Sequence, residues 1–302
     1  MQKRNNKKTG TILAFVLLYC GIIGICAVIA PLVKHVLDFK FHRILARCLT
    51  VGTFLFVWFL MKYFRVNLRE YGKRMGLSND RFAWRSFWRG FLLSAVFIGG
   101  VSVVQVFLGF RTPRITLAWY AFLAQIGKAA ATGIVVAYIE ETFFRGVVFR
   151  SLARVSLWGS FVVTNLFYAA VHFFRSGNVL VAKTPGIIDS FRVMGGYFSS
   201  FSNDAHIWPA FVGLFLFGCV LTAAYLRSKT LLMPIGIHAG AVFIIKTNSA
   251  WSAFHEATNP LVFGSKWVYD GIIGWGVLLL MFICVLVVIK KKEGDGHVEL
   301  LG

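Results

Sequence analysis

Ala137-Tyr138-Ile139-Glu140-Glu141-Thr142-Phe143-Phe144-Arg145-Gly146-Val147-Val148-Phe149-Arg150 sets two adjacent carboxylates inside an otherwise apolar run. A charge in hydrocarbon is costly, so an acidic pair there marks a functional site by default. On a helix, residues four apart share a face, whereas adjacent ones diverge by about 100°. The spacing predicts that Glu141 reaches Arg145. Glu140 then turns to another side, where it can face a cavity with the neutralising pair behind it. The plainer alternative is a hydrated acidic pair at a membrane boundary.

Working outward, the composition sets the class. The 302 residues are 58% hydrophobic and 15% charged, with a mean hydropathy of +0.71, well beyond an ordinary soluble domain. The sequence predicts an all-α polytopic membrane protein. Apolar runs of roughly the 20 residues needed to cross ~30 Å of hydrocarbon occur near 11–33, 44–61, 87–109 and 117–141. Further runs lie near 157–173, 209–226, 231–247 and 268–289, giving a bundle of about eight transmembrane helices. The fourth run is read as continuing past Arg145 to about Arg154. The chain is treated as a single integral membrane domain, 1–302, because no repeat, low-complexity tract or linker divides it.

A net charge of +20 and a pI near 10.2 raise the question of nucleic acid, but the bases do not gather into one basic domain. They fall between apolar segments, which excludes a nucleic-acid partner from the reading and points to the lipid bilayer. Placing both termini in the cytoplasm puts most of the 32 Lys and Arg residues in segments on that side. The first apolar run follows Lys3, Arg4, Lys7 and Lys8, is long for a signal peptide and lacks an Ala-x-Ala ending, so it reads as a retained helix. Lys62 to Arg89, with Tyr71, Trp84 and Trp88 among its bases, reads as an interfacial segment and topology anchor. Cysteines 20, 26, 48, 219 and 284 form no CxxC pair, so neither a disulfide framework nor a thiolate metal site is implied.

A census of ionisable groups returns attention to the middle. Among the acidic residues only Glu140 and Glu141 fall inside apolar segments, Asp270 standing at the start of the last one, and among the histidines only His172 and His238. Two carboxylates and two imidazoles from the fourth, fifth and seventh runs are what water activation in a hydrophobic cleft needs. Taken alone, His172 reads as an interface residue and His238, after Pro234 and Gly236, as a packing residue. Ala129, Gly133 and Ala137 recur every four residues ahead of Glu141, a small-residue ladder that admits a neighbouring helix closely and directs Glu141 to the interior.

These residues resemble the CAAX-processing and bacteriocin-processing (CPBP, or Abi) intramembrane endopeptidases. Glu140-Glu141-Thr142-Phe143-Phe144-Arg145-Gly146 matches that family's Glu-Glu-x-x-x-Arg motif. Tyr168-Ala169-Ala170-Val171-His172 stands for its Phe-x-x-x-His, with Tyr in place of Phe. His238-Ala239-Gly240-Ala241-Val242 keeps the histidine of the third motif and replaces its polar partner by Val242. The similarity covers roughly 120–247, a CPBP-like catalytic core.

The resemblance implies hydrolysis of a peptide bond in a membrane-associated peptide or protein. It implies Glu140 and His172 as activators of a water, Glu141 and Arg145 as a supporting pair, and His238 as an oxyanion stabiliser or metal ligand. Asn165 is a candidate substitute for the missing polar residue, and Lys246, about 80° round the helix from His238, a poorer one. The cofactor is either none or a divalent metal such as zinc, held if present by Glu140, His172 and His238. The intervals contain no short His-x-x-x-His pair, which favours metal-independent activation. Two other classes stay open. One is a catalytically inactive family member serving as a membrane scaffold or immunity factor, which Val242 favours. The other is a transporter or proton relay, which would normally show repeated halves.

Overall fold

Each of the eight apolar runs is a helix. The structure, a computed structural model, describes residues 2–63, 72, 77, 81–114, 117–173, 179, 181–203, 207–255 and 259–289. Most of the anchor read between Lys62 and Arg89 lies outside these residues up to Arg81. In chain order the helices are α1 (Gln2–Val36), α2 (Phe41–Tyr63), α3 (Arg81–Phe107), α4 (Trp119–Glu141), α5 (Arg150–Ala153) and α6 (Leu157–Val171). They continue as α7 (Ile187–Asn203), α8 (Ile207–Ser228), α9 (Leu232–Trp251), α10 (Pro260–Phe263) and α11 (Ile272–Val288). A π-helical segment, Thr142–Phe149, joins α4 to α5 without a break, so one rod runs from Trp119 to Ala153, as the sequence predicts.

Among the described residues four spans, Leu17–Val36, Arg81–Phe107, Trp119–Ala153 and Ile207–Ser228, are long and apolar enough to cross a membrane by length and composition. Leu157–Val171 and Ile272–Val288 are shorter apolar helices. Large apolar side chains such as Leu123, Val135, Tyr138, Val163 and Leu280 are exposed on these helices, the face a bilayer would cover. The protein is an all-α polytopic membrane protein.

The chain forms two compact units, residues 1–68 with 173–205, and residues 69–172 with 206–302. In the first, Ala30, Phe41, Ile44, Leu45 and Val193 make a core where α1, α2 and α7 meet, and the Ser190 hydroxyl donates to the Ala27 carbonyl at 2.8 Å. Helix α7 lies in the connection between the fifth and sixth apolar runs, which is rich in Gly, Ser and aromatic residues, and it packs against α1 and α2.

The second unit holds every residue singled out around Glu140. Its centre is α9, packed against α3 and α4. Close approach rests on glycine. A Cβ built on Gly133 of α4 would lie 2.8 Å from the Ala239 carbonyl oxygen, one on Gly240 2.6 Å from that of Phe91, and one on Gly236 would collide with the Phe87 carbonyl. Gly236→Ala is expected to cost at least about 1–3 kcal/mol, the range of overpacked cores, because backbone and not a flexible side chain must yield. Thermal unfolding in detergent checks this, with Gly100→Ala, which meets nothing within 4 Å, as the unaffected control.

A two-stranded antiparallel pair, β1 (Arg111–Pro113) with β2 (Ser252–Phe254), ties the end of α3 to the end of α9, with Thr112 opposite Ala253. Arg111 is buried there, donating through Nε and Nη2 to Gln105 Oε1 (both 3.2 Å) and through Nη1 to Ser252 Oγ (3.0 Å). Burial pulls its guanidinium below the ordinary arginine value. Runs of three residues carry too little periodicity to be read from the sequence.

Candidate active site

The buried residues of α4 are Ala129, Gly133, Ala137 and Glu141, the four-residue ladder itself. Small side chains let α9 come close, and the next rung, Glu141, is thereby delivered into the interior with its side chain wholly shielded. The backbone then widens from α to π winding over Thr142–Phe149, burying Phe144, Arg145, Gly146 and Phe149. Such π segments inside α-helices recur at functional sites, and nothing in the local sequence distinguishes this one from α.

Arg145 and Glu141 are both fully buried and meet through Arg145 Nη1 and Glu141 Oε1 at 3.0 Å, as their spacing predicts. His238, from α9, places Nδ1 at 2.8 Å from the same oxygen. A carboxylate only accepts, so the Nδ1 proton is directed at Glu141 and Nε2 is left for other chemistry. Arg145 also donates through Nη2 to Asn165 Oδ1 (3.3 Å) and to the Gly218 carbonyl (3.0 Å). Thr222 donates to the same Asn165 oxygen at 3.0 Å. The cation is thus held by α6 and α8 while its charge is met by α4, the condition under which a buried ion pair is tolerable.

Glu140 forms a second pair. His172, the residue capping α6, donates from Nδ1 to the Tyr168 carbonyl at 2.8 Å, which in the neutral ring makes Nε2 an acceptor. That nitrogen lies 3.7 Å from Glu140 Oε2, beyond hydrogen-bond length. The Glu140 oxygen is itself shielded and has no hydrogen-bond partner, although the Glu140 and His172 side chains as wholes stay 29% and 26% exposed. Two acceptors thus face each other, the Glu140 oxygen shielded although both side chains reach partly into the open.

Tyr168 stands between the two pairs. Its ring centroid is 4.7 Å from that of His172 and 6.2 Å from that of His238, nearly perpendicular to the latter, and the Arg145 guanidinium lies over it at 4.7 Å. Phe217 closes on His238 from α8 at 5.7 Å.

All five candidates, Glu140, Glu141, Arg145, His172 and His238, therefore lie in this unit, grouped differently from the expectation of one Glu140, His172 and His238 convergence. His238 pairs with Glu141, and Glu140 with His172, because adjacent residues on α4 point to different neighbours. Among the described residues no three of His, Cys, Asp and Glu are gathered as a metal set, so the trio named for zinc is not arranged as one. Asn165 is not the free donor that could replace the polar residue missing at Val242. Its oxygen is taken by Arg145 and Thr222, and its amide nitrogen donates to the Phe161 carbonyl at 2.9 Å and contacts Cys219 Sγ at 3.7 Å. Lys246 is exposed and does not replace it.

Gly218 and Thr222 hydrogen-bond Arg145 and Asn165, and a census of ionisable groups passes over them. The signal available in the sequence is two small residues four apart on the apolar α8. Thr222→Val is expected to cost about 1 kcal/mol, the usual worth of one hydrogen bond, and Thr222→Ser to restore it, read as the thermal midpoint.

Residues 122–244 match a protein-family model described as "Type II CAAX prenyl endopeptidase Rce1-like". The matched stretch contains both glutamates, Arg145, His172 and His238. No curated protein and no solved structure matches the chain.

Proposed function

We propose, from the match of residues 122–244 to the Rce1-like CAAX endopeptidase family, that the chain is a membrane protease that cleaves a peptide bond in a membrane-associated peptide or protein tail by metal-independent water activation. The observation that carries the reading is the orphaned Glu140 Oε2 facing His172 Nε2 at 3.7 Å, with the other imidazole nitrogen engaged by Tyr168. One water beside them donates to both acceptors. Glu140 takes its proton as the oxygen attacks the carbonyl carbon, and returns that proton to the amine as the C–N bond breaks.

His238, oriented through Nδ1 by Glu141, can donate from Nε2 to an oxyanion only with both ring nitrogens carrying protons, and Arg145 supplies positive charge behind it in a medium of low dielectric. The family's description names a prenylated CAAX tail, and a lipidated tail is the substrate class we favour. We further propose 120–247 as the catalytic core of a single membrane domain, 1–302, with both termini cytoplasmic. The inactive-scaffold reading is favoured by Val242, half-buried and unable to donate. The two separate in cells carrying Glu140→Gln at matched expression. Proteomics should show uncut proteins accumulating in the variant, whereas identical peptide profiles with full rescue of phenotype would favour the scaffold.

A further inference from the structure

We propose that Lys128 and Lys246 form a subsite for a carboxylate carried by the substrate chain, a specificity element that rests on the protease reading above. Lys128 is a lone ammonium-bearing residue well inside the apolar rod Trp119–Ala153, and it is exposed. A long cationic side chain at that depth is costly unless it reaches an interface or an anion.

Residues four apart form the ridges of a helix surface. On α4 one ridge winds from Lys128 through Thr132 and Val136 to Glu140, and its three later members are half-buried. On α9 another winds from buried His238 through half-buried Val242 to exposed Lys246. Each ridge therefore begins at a group of the acid-base site and ends at an ammonium.

The two lysine ends lie at the same junction. Gln125, a surface neighbour of Lys128 three residues away, donates through Nε2 to the Lys246 carbonyl at 3.4 Å. Further along the seam Gly133 holds α4 against Ala239. Among the described residues neither lysine has a carboxylate within ion-pair distance, so neither cation at this junction is met by an anion.

At 1.5 Å rise per residue the ridges span roughly 18 Å from Lys128 to Glu140 and roughly 12 Å from Lys246 to His238. An extended peptide covers the shorter span in about four residues and the longer in about five to six, fewer once the reach of the lysine side chains is counted. A substrate laid along the seam with its scissile carbonyl at Glu140 would bring a negative charge a few residues away to the lysines. A lipid phosphate offers similar chemistry, but the ridges lead from the acid-base groups, which favours the peptide.

The test uses the full chain with Glu140→Gln, so that nothing is turned over, in phosphatidylcholine nanodiscs. The probe is a fluorescent S-prenylated peptide with three residues after the lipidated cysteine, made with a free carboxyl terminus or with a terminal amide. The carboxylate form is expected to bind at least tenfold more tightly than the amide. Adding Lys128→Gln and Lys246→Gln should remove that preference while leaving amide binding unchanged, and Arg at both positions should restore it. Equal binding of the two forms, no binding of either, or an unchanged preference in the Gln pair would each overturn the proposal. So would loss of phosphatidylglycerol retention in native mass spectrometry with peptide preference intact, which would assign the lysines to lipid. Binding is read without cleavage, so wild-type hydrolysis without carboxylate preference refutes the subsite alone. A preference without wild-type hydrolysis refutes the protease reading alone.

Discussion

Arg145→Met is expected to destabilise the protein by about 3–5 kcal/mol, the range seen when one partner of a buried ion pair is removed. Both side chains of the Arg145 and Glu141 pair are fully shielded, so solvent cannot replace the lost donor. The guanidinium also meets Asn165 and Gly218, leaving their oxygens short of a donor, although Thr222 still serves Asn165. The check is the thermal or denaturant midpoint in detergent, alongside Glu141→Gln and the double variant. A double variant more stable than the sum of its singles is the expected result, since removing both charges removes the uncompensated one. If Arg145→Met melts with the wild type, the pair does not hold these helices together.

Glu140→Gln is expected to lower the rate of hydrolysis by about 10²–10⁴-fold, the usual contribution of a positioned general base. It should leave the thermal midpoint nearly unchanged. The difference from its neighbour follows from environment. Glu140 is partly exposed and its Oε2 accepts no hydrogen bond, so replacing that oxygen by an amide breaks nothing, whereas Glu141 is held by two cationic or polar partners. Glu141→Gln should therefore lose stability together with activity. Parallel measurement of turnover and midpoint for both variants separates the roles. Equal stability losses in the two would argue against Glu140 as the base, and undiminished turnover in Glu140→Gln would remove it from the mechanism.

The two variants together also bear on how the π segment works. It begins immediately after Glu141, and through it Arg145 keeps its bond to Glu141 while touching α6 and α8. The sequence shows the Glu141 and Arg145 spacing but not the winding, because both α and π geometry satisfy a four-residue contact.

Composition and hydropathy alone determined that this is a helical polytopic membrane protein, since the bilayer requires every spanning backbone group to be bonded within its own segment; among the described residues four helices are long and apolar enough to span, against about eight expected. The rarity of buried charge singled out Glu140, Glu141, His172 and His238, and the ladder of Ala129, Gly133 and Ala137 told which glutamate is buried, because helical spacing turns a four-residue repeat into one face. Only the tertiary structure decided the partners. His238 pairs with Glu141 and not with Glu140, Asn165 serves Arg145 and not an oxyanion, and Thr222 and Gly218 join the site from α8. Hydrogen bonds join residues as far apart as Glu141 and His238, and their geometry depends on how helices approach and rotate against each other, which local spacing does not encode.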